Sequence, residues 1–110
     1  MTRTFIETPT FTSNWYALGL TNEDLCDLQN EILKDPKNAG DVIQGTGGIR
    51  KIRVACNGHG KRGGARVIYV DIEVKETIYL LNVYAKNEKV DLSEAEKKAL
   101  KAAVMIIKEG

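Results

Sequence analysis

Two short apolar runs constrain this chain most. Val67-Ile68-Tyr69-Val70 and Ile78-Tyr79-Leu80-Leu81 carry no polar residue at alternate positions. A strand of that kind is apolar on both faces, so it belongs in the middle of a sheet. The pattern predicts strands over 65–74 and 77–85, joined by a tight turn near Lys75-Glu76, with helices on one side. A third strand over 49–56 reads differently. In Lys51-Ile52-Arg53-Val54 charge alternates with aliphatic side chains, which puts bases on one face and core on the other. A flexible basic loop, 57–64, joins the strands over 49–56 and 65–74.

The elements before this sheet have legible ends. Residues 3–7 suggest an opening strand. Thr8-Pro9 is a helix start, with Thr as N-cap and Pro at the first helical position. Phe11, Trp15 and Leu18 then follow at helical spacing, and Gly19 closes the helix. Thr21 caps a second helix with acids in its first turn. Its apolar stripe is Leu25, Leu28, Ile32 and Leu33, and Asp35-Pro36 ends it. Ser93 and Glu96 form a capping-box pair before a last helix over about 94–109, where Leu100, Val104 and Ile107 recur. The expected fold is α+β in the order β-αα-βββ-α. A small, mostly antiparallel sheet carries two N-terminal helices on one face, plus a C-terminal helix.

The 110 residues read as one domain over 1–110, large enough to fold without metal or disulfide. No apolar run approaches the roughly 20 residues of a membrane span. The charged start, Met1-Thr2-Arg3, is unlike a secretory signal. Cys26 and Cys56 are expected to be free thiols in a reducing cytoplasm, Cys26 packing as a small hydrophobe.

A net charge of +1 hides a strong asymmetry. Between Val42 and Val70 there are six bases (Arg50, Lys51, Arg53, Lys61, Arg62 and Arg66) and no acid, whereas residues 7–41 hold seven acids and two bases. A bland surface mixes both signs, so an acid-free basic stretch points to a polyanion, nucleic acid above all. A simple hairpin would set Arg53 near Ile68 and Ala55 near Arg66. Lys51, Arg53 and Arg66 would then share a face, with Lys61 and Arg62 at its rim.

Other motifs carry less. Gly45-Thr46-Gly47-Gly48 lacks the ending of a phosphate loop and precedes a strand, so it is a glycine-permitted turn. His59 is the single histidine, which rules out a histidine pair. Metal-ligand spacing is lacking, and no cofactor is indicated.

Three segments, 41–53, 60–69 and 79–88, resemble in order the HigB branch of the RelE/ParE toxin superfamily. They are carried by Asp41-Val42-Ile43-Gln44-Gly45-Thr46-Gly47-Gly48-Ile49-Arg50-Lys51-Ile52-Arg53, by Gly60-Lys61-Arg62-Gly63-Gly64-Ala65-Arg66-Val67-Ile68-Tyr69 and by Tyr79-Leu80-Leu81-Asn82-Val83-Tyr84-Ala85-Lys86-Asn87-Glu88. The resemblance implies a bacterial type II toxin with a helix-turn-helix, HigA-like antitoxin. It implies metal-independent cleavage of messenger RNA in the ribosomal A site, by attack of a ribose 2′-OH. By motif, Lys51 and Arg53 match the paired bases of the second strand and Arg66 the arginine of the third. Lys86 and Asn87 fall where the family has bases after the last strand. The family's C-terminal tyrosine has no match here, since residues 90–110 contain none. Tyr84 is the candidate for stacking a base.

That chemistry needs a base, charge stabilisation on the phosphorane and an acid. Arg53 and Arg66 suit the charge, since guanidinium grips phosphate bidentately. Cations around a lysine disfavour its charged form, which makes Lys51 the first candidate for the base and Lys61 the second. Lys86 is the candidate acid, and Arg50, Arg62, Tyr84 and Asn87 are candidates for RNA contact. Two other readings stand beside this one: a ParE-like inhibitor of DNA gyrase with no enzymatic activity, and a plain RNA-binding module.

Overall fold

The computed structural model describes residues 2–55, 64–85 and 92–109. Expectations for Cys56, His59, Lys61, Arg62, Lys86 and Asn87 fall outside the described residues. The elements run β1 (Thr4–Glu7), α1 (Pro9–Ala17), α2 (Asn22–Leu33), β2 (Asp41–Val42), β3 (Arg50–Val54), β4 (Ala65–Ile72), a 3-10 turn (Glu73–Lys75), β5 (Thr77–Ala85) and α3 (Glu94–Glu109). The five strands form one mixed sheet in the order β1-β5-β4-β3-β2. β1 lies parallel to β5, and every other neighbour is antiparallel. The architecture is the α+β arrangement expected, with a two-residue β2 added at the edge.

Local chemistry explains the helix ends. The Thr8 hydroxyl accepts from the Phe11 N–H at 3.1 Å. Thr21 and Asp24 close a capping box, as do Ser93 and Glu96. The turn after β4 is tight because Glu76 adopts a left-handed conformation at φ 49°.

β4 and β5 are central, as their sequences demand, but the helices are not all on one side. Phe11, Trp15, Leu28 and Ile32 pack with Val67, Tyr69, Ile78 and Leu80 on one face. Leu100, Val104 and Ile107 of α3 cover Ile68, Val70, Ile72 and Leu81 on the other. Strands apolar on both faces require this, because a single layer of helices would leave half of their side chains in water. Cys26 is exposed instead of packed. On a helix it points well away from the stripe of Leu25 and Leu28 that faces the sheet.

One ion pair ties the far edge. Arg3 reaches across β5 to Asp71 on β4, with Nε–Oδ1 at 2.7 Å and the second nitrogen at 3.1 Å from Oδ2. The bond to Asp71 raises the Arg3 pKa above its already high ordinary value, so the guanidinium stays charged.

Candidate active site

The hairpin β3–β4 closes two residues tighter than a simple reading of the loop suggests. Arg53 pairs with Arg66 and Lys51 with Ile68. A slip of two preserves side-chain phase, where a slip of one would reverse it. Lys51, Arg53 and Arg66 therefore do share a face, the same face that Ile68 turns toward α3. Gly64 helps set this register. It sits at φ 68°, and a Cβ there would lie 2.3 Å from the Val54 carbonyl oxygen.

The three cations line one cavity of about 270 Å³, together with Gly40 and Asp41. Arg66 Nε is closed to solvent and has no hydrogen-bond partner among the described residues. Arg53 stands directly opposite it in the ladder. Like charges placed so are mutually destabilising, and an unsatisfied buried donor adds to the cost. The arrangement suits an anion, whose charge would neutralise the pair.

Arg50 belongs elsewhere. It pairs with Tyr69 in the ladder and so points to the α1/α2 face, where its guanidinium donates to the Gly40 carbonyl. Strand alternation separates it from Lys51 and Arg53, so it is not part of the cationic strip. Its work is positional, since it tethers the chain at 39–41 beside the cavity. The approach is close enough to need glycine: a Cβ on Gly40 would meet the Lys51 carbonyl oxygen at 2.5 Å and the Tyr69 hydroxyl at 2.9 Å. Burial raises the Tyr69 pKa above its ordinary value of 10.0, and neighbouring Arg50 partly opposes the shift.

Tyr84 reaches the site through a bulge. The β4–β5 register steps from Ile68↔Asn82 to Tyr69↔Leu80, leaving Leu81 without an opposite residue. Asn82 and Val83 then both face the α1 side. Asn82 Oδ1 accepts from the Val83 N–H at 2.8 Å and from Asn14 Nδ2 of α1 at 2.9 Å. The extra residue inverts the phase of the strand end and places Tyr84 opposite Arg66 on the cationic face. Without it, Tyr84 would point into the α1/α2 core. Tyr84 is only 9% exposed, so it forms a floor and does not stand free as a stacking platform.

The sequence reading missed three neighbours of this strip. Asp41 pairs with Lys51 across β2–β3, and Gln44 and Lys97 border a groove that Lys51 also lines. The available signals were the position of Asp41 just before the acid-free stretch and the polar Asn82 inside an apolar strand.

A five-stranded mixed sheet with two helices on one face, one on the other and a cluster of bases on the latter makes a small α+β domain with a cationic face. A family model described as the RelE toxin of the RelE/RelB toxin-antitoxin system matches residues 3–109, and the chain belongs to the RelE toxin family. Among solved structures, a mutant of E. coli toxin RelE in the free state is similar at TM-score 0.59 and 19% identity, over 96% of this chain and 99% of that one. The same mutant in complex with an antitoxin RelBc peptide is similar at TM-score 0.59 and 20% identity, over 90% of this chain and 95% of that one. The intact E. coli RelBE toxin-antitoxin complex matches at TM-score 0.56 and 19% identity, over 74% of this chain and 93% of that one. At that level of identity the likeness speaks for the fold. The protein is thus a RelE-type toxin of a toxin-antitoxin system. Among the described residues, no helix is long and apolar enough to cross a membrane.

Proposed function

We propose that this toxin is a ribosome-dependent endoribonuclease that cuts messenger RNA in the A site. The observation that carries the reading is the cavity that Arg66 shares with Lys51 and Arg53, where the buried Nε of Arg66 has no hydrogen-bond partner among the described residues. Arg66 and Arg53 hold the scissile phosphate and stabilise its developing charge. The 2′-oxygen attacks phosphorus, its proton passes to Lys51, and the P–O5′ bond breaks. The products are a 2′,3′-cyclic phosphate and a free 5′-hydroxyl. Lys86 supplies the proton to the leaving oxygen. Lys61 is the second candidate for the base, and Arg62 and Asn87 contact the RNA. The step uses no metal or cofactor. Much of the acceleration comes from holding the 2′-OH in line, which the ribosome supplies.

The quoted motifs favour the HigB-like branch and a helix-turn-helix antitoxin, acting in the cytoplasm. The antitoxin peptide on E. coli RelE supports a protein partner of some kind. A gyrase inhibitor has no need for a phosphate-binding cavity, which argues against the ParE-like alternative. The test is to add the purified protein to ribosomes programmed with a defined mRNA and map the new 5′ ends. Codon-aligned cuts with wild type, and none with Arg66→Ala that melts no lower than wild type, support the reading. Intact mRNA together with inhibition of DNA supercoiling replaces it with the alternative.

A further inference from the structure

Lys51 borders two hollows. One is the Arg53–Arg66 cavity. The other is a groove of about 280 Å³ lined by Ile43, Gln44, Tyr84, Leu92 and Lys97. Its floor is apolar and firm: Ile43, Tyr84 and Leu92 are each 8–9% exposed. Its walls are braced. Thr46, only 1% exposed, donates its hydroxyl proton to the Ile43 carbonyl at 2.6 Å and accepts from the Ile49 N–H at 3.2 Å. The Ile43 N–H closes the same loop onto the Ile49 carbonyl at 2.8 Å. Gln44 therefore stands on a rigid loop. The opposite wall is the first turn of α3, fixed by the Ser93–Glu96 capping box, and Lys97 rises from it beside Glu94 at 3.5 Å.

An apolar floor, one neutral amide and an ammonium group at either end match the chemistry of a single nucleotide. An unstacked base is a flat apolar body with donors and acceptors on its edge, carried between phosphates. We propose that this groove seats the base next to the scissile phosphate. Gln44 reads the base edge with its amide, and Lys97 binds the phosphate on the far side. Lys51 joins the two hollows and so keeps the seated base and the cut one nucleotide apart. Gln44 is thus the specificity-determining residue and Lys97 a general anchor. The inference rests on the nuclease reading, because it needs RNA in the neighbouring cavity.

The test uses ribosomes programmed with four mRNAs that differ in one base beside the mapped cut. Wild type is expected to prefer one base by about tenfold, the scale of one well-formed amide–base contact. Gln44→Leu keeps the shape and removes donor and acceptor, so the preference should fall below about threefold. Gln44→Glu removes the donors alone and should reorder the four bases. Lys97→Gln should slow all four about equally, with the preference kept and the salt dependence reduced. If wild type cuts and Gln44→Leu retains the wild-type preference, this inference is overturned while the nuclease reading stands. If wild type cuts no mRNA, both fall.

Discussion

Arg66 should be held at a cost to the fold, and removing it should make the protein more stable. Its Nε is a buried donor with no acceptor among the described residues, and Arg53 faces it across the ladder. An unsatisfied buried donor destabilises by about 1–3 kcal/mol. A like-charge pair directly opposite on neighbouring strands adds about 0.2–1 kcal/mol. Arg66→Met keeps the aliphatic stem that packs beside Ile68 and Tyr84 and removes both penalties. The expected gain is about 1–4 kcal/mol, and each kcal/mol raises the melting point by roughly 4–8 °C in a domain of this size. Scanning calorimetry and urea titration in a phosphate-free buffer measure it. Inorganic phosphate should raise the wild-type melting point, by about 1.4 kcal/mol of stability at ten times its Kd, and leave Arg66→Met unmoved. The same variant should lose mRNA cleavage. A variant that melts below wild type refutes the argument, because Arg66 would then be a structural asset and not a residue kept for its ligand.

Three further outcomes follow from other parts of the molecule. Because Tyr69 has a folded pKa above its ordinary value, the folded state holds the proton that the unfolded chain releases; stability should be intact below pH 10 and fall as pH rises beyond it, and Tyr69→Phe should flatten that part of a pH–denaturation profile. Asp71→Asn leaves the Arg3 charge without its carboxylate and should destabilise by about 1–3 kcal/mol in urea, the scale of a lost charge-assisted hydrogen bond. Asn82→Val deprives the bulge of the acceptor for the Val83 N–H, so it should destabilise by about 1–3 kcal/mol and disturb the amide resonances of 82–85 and of Arg66 in an NMR spectrum.

Most of the element order was legible because it rests on short-range chemistry. Thr8-Pro9, Thr21 and Ser93 mark helix starts through bonds to residues three positions on, and the apolar runs of β4 and β5 name the central strands. The shared face of Lys51, Arg53 and Arg66 was legible for a similar reason. Strand alternation has a period of two, so a register error of two left the conclusion intact.

What the tertiary structure alone decided is where side chains from distant segments meet. Arg50 met the Gly40 carbonyl because the chain at 39–41 folds back beside β3. Tyr84 came to the cationic face through a bulge, whose freed N–H is satisfied by the side chain of Asn82, itself held by Asn14 of α1. Asp41, Gln44 and Lys97 joined the strip through a two-residue strand, a hydroxyl-braced loop and the docking of α3. Patterns of two, three or four residues are written into the chain by local sterics and hydrogen bonding. Proximity between residues fifty positions apart depends on which packing fills the core, and no local pattern encodes that.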